Sequence, residues 1–188
     1  FPTRRSSDLE KSGFYKYFEA IINGLLSRSN LTIHYVTSDP NDAVFELSKS
    51  EPRIRPYYIG PKKLITLMMK MDADIVVMTT PDLEKYYIKR SLVRKDVEYI
   101  YTPHDMMSVH MGFREGALDH FDTVFCVGPH AVKEIRETEK VYNLKEKTLV
   151  EFGYPLTEKL IASYEQTEKD GAAGTKKEIL IADRKSVV

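Results

Sequence analysis

Short apolar runs alternate with longer amphipathic segments along most of the chain. The apolar runs are rich in β-branched and aromatic residues, and they predict strands at residues 31–36, 54–59, 73–79, 97–101, 123–127 and 148–152. The third run is apolar at nearly every position, as in a strand that is covered on both faces in a parallel sheet. Because a helical segment separates each strand from the next, the sequence predicts an α/β fold with a doubly wound, mostly parallel, Rossmann-like sheet.

The segments between the strands predict helices at residues 11–27, 43–48, 62–71, 80–93, 111–118, 131–142 and 156–166. The first of them has apolar residues at helical spacing, which favours a helix packed on the sheet. Lys11 and Lys16 beside its aromatic residues leave open a helix that lies on a membrane surface. A short basic patch near the end of the fourth helix is interpreted as a solvated helix end; it comprises Lys89, Arg90, Arg94 and Lys95.

The composition excludes several classes of protein. No apolar run approaches the roughly 20 residues that cross a bilayer, and the first residues lack the apolar core of a signal peptide. The single cysteine, Cys126, rules out an internal disulfide and favours a reducing cytoplasm. A formal net charge of zero argues against a general nucleic-acid binder, which needs a basic face. The glycine-rich phosphate loops of the common NAD and ATP sites are also missing from the sequence.

The two ends of the chain are unlike the rest. Residues 1–9 resemble the translation of a sequencing-adapter oligonucleotide, and residues 183–188 resemble the same adapter read on the other strand. Such scars are left out of fold reasoning, so we expect the natural segment to be a fragment cut at both ends. Within it, residues 10–168 predict one Rossmann-like domain. Residues 169–182 predict a linker and the first strand of a further, C-terminal domain.

Three strand-to-helix turns form the candidate site: Pro103-His104-Asp105, Gly128-Pro129-His130 and Gly153-Tyr154-Pro155. In a parallel sheet the carboxyl ends of the strands share one edge, and ligands of open α/β sheets bind there. Glycine lets the backbone approach a ligand, and the N-terminus of a following helix offers unpaired N–H groups to a phosphate. A single Gly-Pro pair commonly does no more than end a turn. Three such turns with two histidines favour a phosphate-handling cleft. The histidines are too scattered to predict a metal site, and no cofactor is expected.

The order of these motifs resembles the CDP-glycerol glycerophosphotransferase family, which includes teichoic-acid polymerases and primases. The resemblance is carried by His104 after its strand, the run Phe-Asp-Thr-Val-Phe-Cys-Val-Gly at residues 121–128, the Gly-Tyr-Pro turn, and Glu-Ile-Leu-Ile-Ala at residues 178–182. It implies a GT-B-like fold of two Rossmann-type domains, of which this chain would be the N-terminal, acceptor-side half. It also implies a cytoplasmic protein that is peripheral on the inner face of the cell membrane.

The resemblance further implies a chemical role for His104. This histidine would act as the general base that takes the proton from an acceptor hydroxyl as its oxygen attacks the β-phosphate of CDP-glycerol. CMP would leave, and glycerol phosphate would pass to a polyol-phosphate polymer or a lipid-linked acceptor. The candidate substrate-binding residues are Asp105, Gly128, His130, Gly153, Tyr154 and Pro155.

The chain departs from the family pattern at two of these turns. Asp105 stands where the family usually has glycine, and its carboxylate could orient His104 or repel an anionic donor. Leu-Thr-Glu at residues 156–158 replaces the usual Arg-Asn-Asp, which weakens phosphate recognition there. Because the family's donor-nucleotide domain would follow residue 182, the chain alone is expected to be inactive.

Two other functions stay open on the sequence. The first is a GT-B glycosyltransferase or epimerase, which would bind a UDP-sugar in preference to CDP-glycerol. The second is a non-catalytic GT-B-like module for an anionic polymer or a partner, with Asp105 as the mark of a degenerate site.

Overall fold

A computed structural model describes residues 13–169 of the chain. The adapter-like ends lie outside the described residues, as do the predicted linker beyond residue 169 and the predicted strand at residues 178–182. The chain divides into two compact units after Pro155. All the described strands belong to the first unit, and one helix represents the second.

The first unit alternates strands with helices in the predicted order. Its strands are β1 (Ile33–Thr37), β2 (Ile54–Tyr58), β3 (Ile75–Met78), β4 (Glu98–Tyr101), β5 (Thr123–Cys126) and β6 (Thr148–Glu151). Its helices are α1 (Tyr15–Arg28), α2 (Val44–Ser50), α3 (Pro61–Met69), α4 (Val109–Gly112) and α5 (Pro129–Val141). Helix α6 (Pro155–Lys169) begins at the last residue of the first unit, and the rest of it is the described part of the second unit. Among the described residues, no helix has both the length and the apolar character that crossing a membrane requires.

Every described strand pair is parallel, so the predicted α/β class is confirmed. Strands β3, β4, β5 and β6 form one sheet in sequence order, while β1 and β2 pair separately. The parallel pairing agrees with a Rossmann-like arrangement, although the hydrogen bonds define two sheets rather than one. Because β4, β5 and β6 are parallel neighbours, their carboxyl ends share one edge.

Each sheet has its own hydrophobic core. The larger core lies against the four-stranded sheet and contains the buried rings of Tyr99 and Tyr101 from β4. On β5, the thiol of Cys126 is buried, and this burial raises its pKa to about 11. The smaller core centres on Ile22 of α1 and Val44 of α2 beside the β1–β2 pair. Helix α1 therefore packs on a sheet, as its apolar spacing predicted.

The helix predicted at residues 80–93 is wrong, because residues 79–97 form an irregular connection. Asp82 and Glu84 both have φ of 66°, a left-handed conformation that a right-handed helix cannot contain. The N–H of Asp82 donates instead to the carbonyl of Ala117, 2.8 Å away. A contact with a residue this distant in the sequence is invisible to helical spacing. The helix predicted at 111–118 is likewise reduced to the short α4.

The basic patch that was interpreted as a solvated helix end is part of this irregular connection. Arg90 forms an ion pair with Asp122 at 2.9 Å and donates to the carbonyl of Val97 at 2.8 Å. Arg94 forms ion pairs with three aspartates: Asp72, Asp74 and Asp96. These two arginines hold the connection against the start of β4.

A buried ionic cluster joins the end of α5 to the start of β6. The Glu139 carboxylate accepts from the Arg136 guanidinium at 2.6 Å and from the Lys147 backbone N–H at 2.9 Å. The Lys147 ammonium lies 3.6 Å from the same carboxylate. Burial opposes ionisation of Glu139, but the two hydrogen bonds and the positive charges of Lys147 and Arg136 outweigh it and hold its pKa below the ordinary value.

Glu139→Gln is expected to lower the free energy of unfolding at pH 7 by about 3 kcal/mol. This is the lower end of the range for a broken buried pair, since part of Arg136 is exposed. A lowered pKa in the folded state stabilises at pH values above the ordinary carboxyl pKa of 4.5, and this contribution is lost as the pH falls through the folded value. The difference in the free energy of unfolding between wild type and variant should therefore stay constant down to about pH 4.5, the ordinary pKa, and shrink below it. Urea unfolding at several pH values measures it, and a difference that grew in acid would contradict the assignment.

Candidate active site

His104 lies in the loop that leaves the carboxyl end of β4. The N–H of Thr102 still donates to the carbonyl of Met78 on β3, at 3.0 Å, and the chain then turns away at Pro103. One third of the His104 side chain is exposed. The ring of Tyr17, near the start of α1, meets the His104 ring edge-on with 6.0 Å between the centroids. The predicted general base is thus accessible and has an aromatic wall on one side.

The Gly-Tyr-Pro turn after β6 reaches the same loop. The Tyr154 hydroxyl donates to the carbonyl of His104 at 3.0 Å. Burial raises the pKa of Tyr154, and the nearby Tyr17 and Asp105 raise it further. The structure therefore brings together Tyr154, predicted as a substrate-binding residue, with His104, Asp105 and Tyr17. In this structure Tyr154 supports the His104 loop.

Gly153 gives this turn its direction. Its φ of 74° is left-handed, and its N–H donates to the carbonyl of Cys126 at the end of β5, at 3.0 Å. A side chain at this φ is strained by about 1–2 kcal/mol. The left-handed backbone conformation therefore explains glycine at position 153 without the predicted contact to a ligand. Pro155 begins α6 directly after the turn.

Gly153→Ala is expected to lower the free energy of unfolding by about 1 kcal/mol, because alanine tolerates the left-handed φ poorly. Gly24→Ala is the matched control. Gly24 lies inside α1 with open space where a Cβ would be, so alanine should stabilise the protein by about 0.5–1 kcal/mol through helix propensity. Urea unfolding of both variants measures the contrast. Equal effects of the same sign would contradict this reading of Gly153.

The carboxylate of Asp105 lies beside the His104 ring but does not hold it by a hydrogen bond. Its Oδ2 is 3.7 Å from His104 Nε2, which is beyond hydrogen-bond length. Its Oδ1 accepts the N–H of Met107 at 3.3 Å, which closes a local turn. Burial raises the pKa of the Tyr101 hydroxyl, and the charge of Asp105 adds to the effect. Asp105 thus places a negative charge next to the predicted base.

Three buried polar atoms of residues at the end of β4 lack a hydrogen-bond partner within residues 13–169: Tyr101 OH, Thr102 Oγ1 and His104 Nδ1. A fourth, Asp39 Oδ2, belongs to a residue just after β1, in the separate two-stranded sheet. A buried polar atom left unpaired costs about 1–3 kcal/mol. All four lie at or just beyond the carboxyl end of a strand, where a polar ligand or ordered water would complement them. A cavity of about 20 Å³ beneath the loop, lined in part by Tyr101 and Asp105, has room for one water.

The Gly128-Pro129-His130 turn follows the neighbouring strand β5 but is less closely tied to His104. Gly128 is fully extended, with φ of 176°, so its backbone conformation does not demand glycine. A Cβ at this position would lie 3.2 Å from His130 Nδ1, which shows how closely the imidazole packs on the turn. His130 itself is exposed on the first turn of α5. Among the described residues, no hydrogen bond, ion pair or ring contact connects the two histidines.

Glu134 of α5 anchors the far end of the His104 loop, and the sequence did not reveal it. Its carboxylate accepts from the Ser108 hydroxyl at 2.9 Å and from the His110 N–H at 3.0 Å. Burial opposes ionisation of Glu134, but these donors outweigh it and hold its pKa below the ordinary value. Neither Glu134 nor Tyr17 carries a sequence signal, because both look like ordinary residues of an amphipathic helix.

The residues that the structure describes contain no group of three or more histidine, cysteine, aspartate or glutamate side chains placed to hold a metal ion. Comparison with protein-family models, with curated proteins and with solved structures gives no significant match.

Proposed function

We propose that the chain is the acceptor-side part of a GT-B-like glycerophosphotransferase, with His104 as the general base. The observation that carries the proposal is the accessible His104 ring at the carboxyl end of β4, beside the Asp105 carboxylate and the Tyr17 ring. Ligands of open α/β sheets bind at this edge. A base in this position can meet an acceptor hydroxyl that enters from solvent.

The environment of the two ring nitrogens selects the one that would react. Nδ1 of His104 is buried, so an acceptor can approach only Nε2. Nε2 is also the nitrogen nearest to the Asp105 carboxylate. When Nε2 takes the acceptor's proton, the ring becomes an imidazolium, and the carboxylate then forms an ion pair with it. The hydroxyl oxygen attacks the β-phosphate of a nucleotide-activated donor such as CDP-glycerol, and the nucleoside monophosphate leaves.

An apolar surface beside His104 supports an acceptor attached to lipid. Met106, Met107 and Met111 follow His104 within one loop and the first turn of α4, and all three side chains are exposed. Exposed apolar residues grouped in this way are typical of interaction sites. A polyol-phosphate chain on a lipid would place its polar end at His104 and its apolar part over the methionines. The protein would then work at the inner face of the cell membrane.

The test uses the protein encoded by the complete natural gene, identified by sequencing the source DNA outward through both adapter-like ends. With CDP-glycerol and a polyol-phosphate acceptor, CMP should be released only when both substrates are present. Preference for a UDP-sugar donor would support the glycosyltransferase alternative. Acceptor binding without release of any nucleotide would support the non-catalytic module. The specific argument for that module is that Asp105 stands where the resembled family usually has glycine.

A further inference from the structure

A second pocket lies beyond the far end of the His104 loop, between residues 109–119 and the C-terminal half of α5, and it shares Val109, Phe113, Leu118 and Ile135 with the cavity beneath that loop. Its volume is about 220 Å³, roughly ten times that of the cavity beneath the loop. Its lining includes four buried and half-buried apolar side chains: Val109, Phe113, Leu118 and Ile135. Polar residues line it as well, and Glu139 and Lys147 are the buried ones among them. Small-molecule sites combine apolar side chains with polar groups that fix the orientation of the ligand.

Lys147 is the buried basic residue of this pocket. Its side chain is 4% exposed, yet within residues 13–169 its ammonium makes no hydrogen bond and has one ion-pair contact, at 3.6 Å to Glu139. The Glu139 carboxylate already accepts from Arg136 and from the Lys147 backbone. Two cations therefore share one carboxylate, and the Lys147 ammonium, which makes no hydrogen bond within residues 13–169, has its N–H donors available for a ligand. Buried charges in proteins are normally paired, because desolvation of an unpaired ion is costly.

The remaining charges of the pocket lie nearer to solvent. Arg114 and Glu115 on the rim are exposed, and Asp119 is half-buried. The Lys85 ammonium and the Asp119 carboxylate both lie against Gly116, so this acid has a cation close by. Charges at a solvated rim are screened far more than a buried ammonium. Lys147 is therefore the buried basic residue among those that line the pocket, and its buried acidic neighbour there is Glu139.

The geometry points to a binding site for a small organic anion, in which a carboxylate or phosphate group pairs with the Lys147 ammonium and a compact apolar body contacts Phe113 and Ile135. The site is separate from the proposed transfer reaction, since His104, Tyr17 and Tyr154 do not line it. Phenyl phosphate and benzoate are suitable probes, because each joins one anionic group to an aromatic ring.

The test is an NMR titration of the 188-residue chain with each probe. Saturable shifts are expected at Lys147 Cε and at the Ile135 and Leu118 methyl groups. Inorganic phosphate should compete more weakly, because it lacks the apolar body. Tighter binding of phenyl phosphate than of benzoate would indicate that the ligand is a phosphate ester, and the reverse order would indicate a carboxylate.

Matched variants make the outcome specific. Lys147→Met keeps the length of the side chain and removes its charge, and it should weaken binding at least tenfold. Lys145→Met removes an exposed lysine two residues away, which does not line the pocket, and it should leave binding unchanged. Equal losses in both variants, or shifts scattered over surface lysines, would overturn the proposal. If Lys147→Met fails to fold, the wild-type titration still decides, because absence of a saturable shift at Lys147 refutes the site.

Discussion

Replacement of His104 by alanine in the gene-length protein is expected to lower kcat for glycerol phosphate transfer about 10²–10⁴-fold, the usual contribution of a positioned general base. In the proposed reaction His104 moves a proton and does not hold the substrates, so KM should change little. His104→Gln tests the same point, because it keeps a polar side chain of similar reach and cannot accept the proton at neutral pH. Initial rates of CMP release measure both variants.

His130→Ala is the matched control for this prediction. His130 also follows a strand of the four-stranded sheet, but it is exposed on α5 and no described contact connects it to His104. Its loss should change kcat by less than the loss of His104. If His104→Ala kept the wild-type rate, the base assignment would be lost, and equal losses in both variants would point to a general effect on the turns.

Asp105→Gly introduces the residue that is usual in the resembled family. The direction of its effect on the transfer reaction decides whether the Asp105 carboxylate stabilises the imidazolium or repels the donor. If Asp105 stabilises the imidazolium that forms at Nε2, the glycine variant loses rate. If the carboxylate repels an anionic donor, the variant binds that donor more tightly and KM falls. The 3.7 Å separation from Nε2 favours the first result.

Tyr99→Ala is expected to lower the free energy of unfolding by about 4 kcal/mol, the largest effect on stability that we predict. Tyr99 is fully buried on β4, and its hydroxyl accepts the N–H of Ser91 at 2.9 Å. The guanidinium of Arg90 lies 4.5 Å from its ring centroid. Truncation would leave a cavity, an unpaired N–H and an arginine without its aromatic partner. Because the chain has no tryptophan, urea unfolding is best followed by circular dichroism.

Two further variants separate the contributions to the stability loss expected for Tyr99→Ala. Tyr99→Phe keeps the ring and leaves only the Ser91 N–H unpaired, so about 1 kcal/mol of the effect should appear. Tyr87→Ala removes an exposed ring of the same connection and should change stability by less than about 0.5 kcal/mol. A large loss in Tyr87→Ala would mean that the irregular connection, rather than the core, limits stability.

The strands could be predicted from the sequence because their signals are local. The apolar run before Thr102-Pro103 and the Gly128-Pro129 pair each mark where an element ends or begins, and the structure has β4 and α5 beside them. The connection after β3 could not be predicted, because its shape depends on distant partners. The N–H of Asp82 donates to the carbonyl of Ala117, and the N–H of Ser91 donates to the hydroxyl of Tyr99.

The candidate site was predictable in part for the same reason. Parallel pairing is enough to place His104 and the Gly-Tyr-Pro turn at one edge, and the Tyr154 hydroxyl indeed reaches the His104 carbonyl. The contribution of Tyr17 depends on how α1 packs, and helical spacing assigns this residue only to an apolar face. The pairing of Glu134 with Ser108 depends on the path of the loop, which no local pattern encodes.

The alkylation rate of Cys126 can be used to measure how often the four-stranded sheet opens. Cys126 is the sole thiol of the chain, buried on an inner strand and protonated at neutral pH, since its pKa is raised to about 11. The thiolate is the nucleophile that attacks an alkylating reagent and displaces its iodide. Iodoacetamide should therefore modify the folded protein only as fast as β5 separates from its neighbours and exposes Cys126. The rate of carbamidomethylation therefore reports how often the sheet that carries the candidate site opens.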